Sequence, residues 1–192
     1  MKKIAITGGI GSGKSAVCAI FERLGIPVFY ADLESKKMLD EDAHVRFEVS
    51  KLLGDQAFSE HGANRKFIAD KVFSDPLLLE KLNSILHPAV FHRFDEWVVQ
   101  QQAPYVIKEA AILFESGADA GIDEVVNVAA PLELRIQRVI KRDGVSKDHV
   151  LSRIAKQWSD EQRDARAQHH IVNDEQSLLL PQVIALHQLF LK

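Results

Sequence analysis

Eight consecutive residues near the N-terminus have the types and the spacing that bind phosphate groups. They run from residue 8 to residue 15 and fit the pattern G-x-x-x-x-G-K-[S/T] without a mismatch. Glycines in such a loop tolerate positive φ and expose successive backbone N–H groups to a polyphosphate. Lys14 adds positive charge for the β- and γ-phosphates and for the transfer itself, and the Ser15 hydroxyl suits Mg²⁺. The predicted nucleotide contacts are Gly8, Gly9, Ile10, Gly11, Ser12, Gly13, Lys14, Ser15 and Ala16.

The elements on either side of this loop are those that it needs. Residues 3–7 form an apolar run typical of a strand, directly before the loop. After Lys14, apolar residues recur at helical spacing as far as Leu24. Gly25 and Pro27 then end the helix. The helix therefore directs its positive N-terminal end at the same phosphates.

Further apolar runs predict the sheet that holds this loop. Short strand-like runs alternate with helical patterns, which is typical of a parallel sheet covered on both faces. We predict an α/β fold with a five-stranded parallel sheet flanked by helices. Its strands are expected at residues 4–7, 28–30, 105–108, 124–129 and 171–172.

The chain between the second and third predicted strands is too long for a simple crossover. Residues 31–103 contain several helical patterns, and we expect them to form a helical insertion that binds the second substrate. Packing alone is the alternative role. The core would then comprise residues 1–30, 104–130 and 168–192, with a helical lid at 131–167.

Three arginines lie on one side of a predicted helix after Pro131. Arg135, Arg138 and Arg142 are spaced i, i+3, i+7, beside an apolar stripe of the same helix. Guanidinium groups match phosphate oxygens and neutralise charge that develops during phosphoryl transfer. We predict that these residues close over a polyphosphate, with a solvated basic surface as the alternative.

The surrounding sequence favours a small-molecule kinase over a GTPase. No Asn is followed by Lys, and no Asp stands three residues before a Gly, so the N-K-x-D and D-x-x-G patterns are absent. Asp32 follows the second strand and is the candidate general base, with a helix N-cap as its alternative role. Glu109 ends the third strand and could hold Mg²⁺ through water or form a structural ion pair.

Composition limits the possible partners and compartment. The chain has 192 residues, 46% of them hydrophobic, a net charge of −3 and a single cysteine, Cys18. A nucleic-acid-binding protein would usually be basic, so no nucleic-acid partner is expected. No apolar stretch reaches about 18 residues, and no signal peptide precedes the first strand. We expect a cytoplasmic monomer that acts on small molecules and does not bind membranes.

Over nearly its whole length the chain resembles the dephospho-CoA kinase family. The resemblance is carried by 6–15 (ITGGIGSGKS), 30–32 (YAD), Arg65 with Val72-Phe73, His87-Pro88, 109–115 (EAAILFE), the three lid arginines, Gln157 and 170–173 (HIVN). The chain departs from the family pattern at four positions. Tyr30 and Glu109 each replace an Asp, Ala111 replaces a Pro, and Arg135 replaces the Gln that begins the lid pattern.

This resemblance implies a P-loop NTPase fold with a substrate-binding insertion and a lid. It implies transfer of the ATP γ-phosphate, with Mg²⁺, to the ribose 3′-hydroxyl of dephospho-CoA, the last step of coenzyme A synthesis. Asp32 would act as the base, and Arg138 and Arg142 would close over ATP. The remaining implied contacts are Asn173 near the adenine, and Arg65, Phe73, His87 and Glu109 on the substrate side. A kinase for a nucleoside, nucleotide or other small alcohol, or a nucleotide-binding regulator without turnover, is the alternative.

Overall fold

The computed structural model describes residues 1–192, and the side chain of Phe73 lies outside the described part. The chain divides into two units, each with its own internal contacts. One unit comprises residues 1–30 and 100–192, and the other comprises residues 31–99.

The first unit is built on a five-stranded parallel sheet, as the sequence predicts. Its strands are β1 (Lys2–Thr7), β2 (Val28–Tyr30), β5 (Tyr105–Glu109), β6 (Glu124–Ala129) and β7 (His169–Val172), in the order β2-β5-β1-β6-β7. All neighbouring pairs are parallel. The central position of β1 explains its composition, because a strand covered on both faces must be apolar along its whole length. The run from Ile4 to Thr7 is fully buried.

Helices α1 (Lys14–Arg23) and α9 (Leu179–Phe190) pack against the sheet. Phe21 of α1 and Phe190 of α9 both meet the ring of Tyr105 edge-on, at centroid distances of 6.4 and 5.5 Å. The single cysteine, Cys18, is buried in this cluster, where burial raises the pKa of its thiol. This cluster fixes the helix that begins at the predicted phosphate-binding loop.

The segment after β6 forms three helices, α6 (Leu132–Asp143), α7 (Lys147–Ile154) and α8 (Asp160–Asp164). Gly144 ends α6 in the left-handed conformation, with φ of 66°. Ser159 begins α8 with a capping box, in which its hydroxyl accepts from the Gln162 N–H while the Gln162 side chain accepts from the Ser159 N–H. Ile136, Val139 and Val150 form a small apolar cluster between α6 and α7.

The second unit is largely helical. It comprises α2 (Ala31–Glu41), α3 (Ala43–Leu53), a 3-10 turn (Asp55–Ala57), the short antiparallel strands β3 (Phe58–Ser59) and β4 (Gly62–Ala63), α4 (Arg65–Phe73) and α5 (Pro76–Val99). The side chain of Asp42 caps α3 by accepting from the Val45 N–H at 2.9 Å. The helix α5 continues through Pro88 and ends at Val99.

Two features of this unit differ from the sequence prediction. The alternative role of Asp32 as an N-cap is wrong, because α2 begins at Ala31 and places Asp32 inside its first turn. The β3–β4 hairpin was not predicted, since two-residue strands carry too few side chains to show a period.

Among the described residues, no helix combines the length and the apolar content that crossing a bilayer would require.

Candidate active site

The loop between β1 and α1 has the conformation that its glycines make possible. Gly11 and Gly13 have φ of 79° and 95°, a region that residues with a Cβ adopt at a cost. Gly13 stands directly before the first residue of α1, Lys14. The N–H groups of Gly11, Gly13 and Ser15 have no hydrogen-bond partner among the described residues. Donors of this kind at a helix N-terminus are suited to an anion.

The carbonyl groups of the loop, by contrast, are held by side chains. Lys14 Nζ donates to the carbonyl oxygens of Gly8 and Gly9, at 2.8 and 3.4 Å. Arg135 Nε donates to the Ile10 carbonyl at 3.0 Å. Because the C=O and N–H of a peptide unit point in opposite directions, fixing the carbonyls on one side orients the N–H groups toward the other.

Two further side chains continue this support along the loop. Asn173 Nδ2 donates to the Ser12 carbonyl at 2.7 Å, and Asn173 is 9% exposed. Arg138 Nη1 lies 3.5 Å from the Gly11 carbonyl and 3.2 Å from the Asn173 carbonyl. The structure therefore places Arg138 and Asn173, both predicted nucleotide contacts, directly against the phosphate-binding loop.

Lys14 and Glu109 form a buried ion pair at this site. Lys14 Nζ lies 3.9 Å from Glu109 Oε1, and both residues are 8% exposed. Glu109 ends β5 in register with Ile6 of β1 and Tyr30 of β2. Tyr30 places a neutral phenol where the family pattern has a carboxylate, and burial raises the pKa of that phenol further.

The residues present fit a magnesium ion. Ser15 is exposed, and its hydroxyl is not engaged by any other described residue. A hydroxyl oxygen, a nearby carboxylate such as Glu109 and the phosphate oxygens of a nucleotide form the oxygen donor set that Mg²⁺ prefers. No group of three or more His, Cys, Asp or Glu suited to a metal occurs among the described residues.

The three arginines of α6 have three different environments. Arg135 is 3% exposed and pairs with Asp160, with Nη1 2.7 Å from Asp160 Oδ2. Burial lowers the pKa of its guanidinium, and the Asp160 charge opposes that effect. Arg142 pairs with Asp143 at 2.6 Å, and 60% of its side chain is exposed. The structure thus brings Arg135 and Arg138 to the loop but does not bring Arg142 there.

The predicted substrate-side residues of the second unit are found in separate settings. Asp32 is exposed and makes no hydrogen bond or ion pair with any described residue. Arg65 pairs with Asp40 at 2.5 Å and reaches the Lys36 carbonyl at 3.3 Å. His87 is half-buried and stacks on Phe91 with a centroid distance of 6.2 Å. The predicted contact at Phe73 falls on a side chain outside the described part.

Sequence reasoning missed several residues that support the loop. Gln157, noted only as part of the resemblance, accepts from the Ile10 N–H at 2.8 Å. Sequence reasoning also did not identify Asp160 and Arg163. Arg163 is 1% exposed, and its Nη2 atom lies 2.5 Å from Asp160 Oδ1. The capping-box pattern of 159–162 could have located α8. No local sequence pattern indicates that Arg163, within the short helix α8, is buried.

Comparison with solved structures shows the class of fold. A crystal structure of a Thermus thermophilus protein matches with a TM-score of 0.88 and 32% identity, over 100% of this chain and 98% of the other. A dephospho-CoA kinase from Campylobacter jejuni matches with a TM-score of 0.70 and 25% identity, over 98% and 96%. Shikimate kinase from Acinetobacter baumannii shares the fold at a TM-score of 0.58 and 16% identity, over 100% and 93%. The parallel sheet and the supported glycine loop define a P-loop kinase fold.

Comparison with protein families is more specific. The dephospho-CoA kinase family model matches residues 2–178. A dephospho-CoA kinase from Bacteroides fragilis is 40% identical over 185 residues, which cover 96% of this chain and 90% of the relative. One from Salinibacter ruber is 40% identical over 178 residues, covering 91% and 89%. The chain belongs to the dephospho-CoA kinase family.

Proposed function

We propose that this chain transfers the γ-phosphate of ATP to the ribose 3′-hydroxyl of dephospho-CoA, which gives coenzyme A and ADP. The observation that carries the proposal is the geometry of the phosphate-binding loop. Its carbonyl groups are hydrogen-bonded by side chains, whereas the N–H groups of Gly11, Gly13 and Ser15 have no partner among the described residues. The family match over residues 2–178 supports the same reaction.

In this proposal the loop and Lys14 bind the phosphates of ATP. The N–H groups of the loop and the N-terminus of α1 hold the β- and γ-phosphates in place, and Lys14 neutralises charge that develops during transfer. Arg138 adds a second cation at the loop, and Asn173 holds the loop beside the nucleotide. Ser15, with Glu109 through water, would hold Mg²⁺, which neutralises phosphate charge when it is bound.

We assign deprotonation of the acceptor hydroxyl to Asp32. Its carboxylate is exposed and is not engaged by any described residue, so it is free to accept a proton. Residues 31–99 would hold the acceptor, with Arg65, His87 and Phe73 as contacts. The segment 131–167 would act as the lid that excludes water, and Arg142 would be its outer cation.

The proposal is tested by a panel of acceptors with ATP and Mg²⁺. Dephospho-CoA should give a product phosphorylated at the 3′ position with much higher kcat/KM than nucleosides, nucleotides or other small alcohols. A better acceptor in the panel would identify a related kinase instead. ATP binding without acceptor-dependent ADP release would indicate a regulator without turnover.

The role of Asp32 is tested by Asp32→Asn, with Asp70→Asn as the matched control. Both carboxylates are exposed and lie in the second unit. We expect Asp32→Asn to lower kcat by about 100-fold or more, because a general base contributes about that factor, while Mg-ADP affinity is unchanged. Asp70→Asn should match the wild type in both assays. A kcat for Asp32→Asn within threefold of the control would remove Asp32 as the base.

We further propose that the chain acts as a cytoplasmic monomer on small molecules, without a nucleic-acid partner. The net charge of −3 supports the last point, since nucleic-acid-binding chains are usually basic. Light scattering of the purified chain during size-exclusion chromatography tests the monomer.

A further inference from the structure

Arg135 lies behind the phosphate-binding loop rather than in solvent. Its side chain is 3% exposed, and a Cβ built on Gly9 would lie 2.1 Å from its Nη2 atom. A Cβ built on Gly11 would lie 2.5 Å from the Arg135 carbonyl oxygen. The first turn of α6 therefore packs closely on the loop: a side chain at Gly11 would meet the α6 backbone, and one at Gly9 would displace the Arg135 guanidinium.

Ile10 is the loop residue that this contact holds. Its carbonyl accepts from Arg135 Nε at 3.0 Å, and its N–H donates to Gln157 Oε1 at 2.8 Å. Its side chain packs on the apolar cluster of α6 and α7. Both polar groups and the side chain of Ile10 are thus fixed by residues more than 100 positions further along the chain.

The guanidinium of Arg135 is itself held by a charge network in which the two arginines are buried and Asp160 is partly exposed. Asp160 pairs with Arg135 through Oδ2 and with Arg163 through Oδ1, at 2.7 and 2.5 Å. Arg163 Nη1 also donates to the Trp158 carbonyl at 2.5 Å. With two cations and one anion, this network carries a net positive charge behind a loop that binds an anion.

We propose that Arg135 is a positioning residue for ATP binding: it fixes the Ile10 carbonyl, and Asp160 orients it to do so. This assignment rests on the proposed function only in treating the loop as the site of the ATP phosphates. It differs from the lid role predicted from the sequence, because the Arg135 side chain is 3% exposed and is held by Ile10 and Asp160, whereas a lid residue must be accessible to the ligand.

The energetics of these ion pairs favour a functional role over a purely stabilising one. The Asp160 side chain is 32% exposed, and ion pairs that water reaches contribute little net stability. A network kept only for stability would therefore gain little from its charges. Orientation of the Ile10 peptide, and with it of the adjoining N–H groups, is an effect that an apolar side chain cannot supply.

Two substitutions at Arg135 separate the hydrogen bond from simple packing. Arg135→Met keeps the length of the side chain and removes every donor. Arg135→Gln places an amide nitrogen at the same position along the side chain as Arg Nε, so it keeps a donor for Ile10 without the charge. Arg166→Lys is the control, because Arg166 forms a half-exposed pair with Asp119 in the same unit.

The measurement is Mg-ADP affinity by calorimetry, which needs no acceptor, together with KM and kcat for both substrates. Arg135→Met should weaken Mg-ADP binding about tenfold and raise KM for ATP by a similar factor, the usual effect of losing one hydrogen bond from a charged donor. KM for dephospho-CoA should be unchanged. Arg135→Gln should stay within about threefold of the wild type, and the Arg166→Lys control should match it.

Asp160 supplies a second, independent test because it does not contact the loop itself. Asp160→Asn should weaken Mg-ADP binding in the wild-type background but have no further effect in the Arg135→Met background. Hydrogen exchange should show faster exchange of the Ile10 and Ser12 amides in Arg135→Met, because these two loop amides are hydrogen-bonded in the wild type, with β5 and β6 unchanged.

Several outcomes would overturn the assignment. These are Mg-ADP affinity of Arg135→Met within twofold of the wild type, an Arg135→Gln loss as large as the Met loss, or an Asp160→Asn effect that persists without Arg135. If Arg135→Met does not fold, Arg135→Gln and Asp160→Asn decide, and a loss above tenfold in Arg135→Gln would refute the role of the Ile10 hydrogen bond. A wild-type chain that binds Mg-ADP but does not phosphorylate dephospho-CoA would refute the proposed function alone.

Discussion

Substitution of Gly13 by Ala should separate the two demands that the loop places on its glycines. Gly13 has φ of 95°, and a Cβ built there would lie 2.0 Å from Asn173 Nδ2. The alanine backbone must therefore adopt the left-handed conformation, and its methyl group must displace the Asn173 side chain. Asn173 would then lose its hydrogen bond to the Ser12 carbonyl, which measures 2.7 Å in the wild type.

Each of these effects has a known order of magnitude. The left-handed conformation costs a residue with a Cβ about 1–2 kcal/mol. A buried carbonyl that loses its partner costs about 1–3 kcal/mol more. Gly13→Ala should therefore lower the free energy of unfolding by about 2–5 kcal/mol. If the loop distorts locally instead, Mg-ADP affinity should fall by about 10- to 100-fold.

Gly25 provides a matched control at the other end of the same helix. Its φ is 82°, and no atom would lie within 4 Å of a Cβ built there. Gly25→Ala should therefore carry the conformational cost of about 1–2 kcal/mol alone and leave Mg-ADP affinity unchanged. Urea denaturation and Mg-ADP calorimetry measure the free energy of unfolding and the Mg-ADP affinity of the two variants. The difference between the variants is the effect of displacing Asn173.

The comparison can fail clearly. If Gly13→Ala and Gly25→Ala have the same free energy of unfolding and the same Mg-ADP affinity, the Asn173 side chain can move aside without cost. Asn173 would then not be a support of the loop, and the Ser12 carbonyl would not need its hydrogen bond to hold the loop in place.

Two further predictions concern other parts of the first unit. Gly9→Ala should weaken Mg-ADP binding about tenfold in the wild-type background through its clash with the Arg135 guanidinium, measured by calorimetry. In an Arg135→Ala background, which should already bind Mg-ADP more weakly, Gly9→Ala should cause little further loss; an equal further loss in both backgrounds would contradict the clash. At the other end of the sheet, hydrogen bonds from Lys2 and His169 lower the pKa of Glu124 below its ordinary 4.5. A carboxyl with a lowered pKa stabilises the folded protein above its unfolded pKa, and this contribution is lost as the pH falls through the folded pKa. Glu124→Gln should therefore reduce the loss of unfolding free energy as the pH falls below 4.5, while an unchanged pH profile in urea denaturation would contradict the pairing.

The sheet was predictable from the sequence because its signals are local. Each strand is a short apolar run bounded by turn residues, and burial on both faces requires that composition within the strand itself. The run at 124–129 matches the bounds of β6, and the loop pattern places α1 directly after β1. The interior of the second unit was less predictable, since its β3–β4 hairpin has only two residues per strand.

The environments of the arginines could not be predicted because they depend on distant parts of the chain. Arg135 and Arg142 look alike in the sequence, where both lie on one stripe of α6. One is 3% exposed and the other has 60% of its side chain exposed, since Asp160 and Ile10 hold the first whereas the second pairs with its neighbour Asp143. Helical spacing tells which residues share a side of a helix but not what that side meets.

The loop itself shows how a local motif can depend on long-range contacts. The pattern of 8–15 is usually understood as a set of contacts with the phosphates, and positive φ at Gly11 and Gly13 agrees with that role. Gly9, however, is not among the glycines with positive φ, and the obstacle to a side chain there is the Arg135 guanidinium. The same holds in part for Gly13, where the obstacle is Asn173. Glycine is therefore required on the side of the loop that faces the protein as well as on the side that faces the ligand. On the protein side, the residues that leave no room for a side chain are Arg135 in α6 and Asn173 directly after β7.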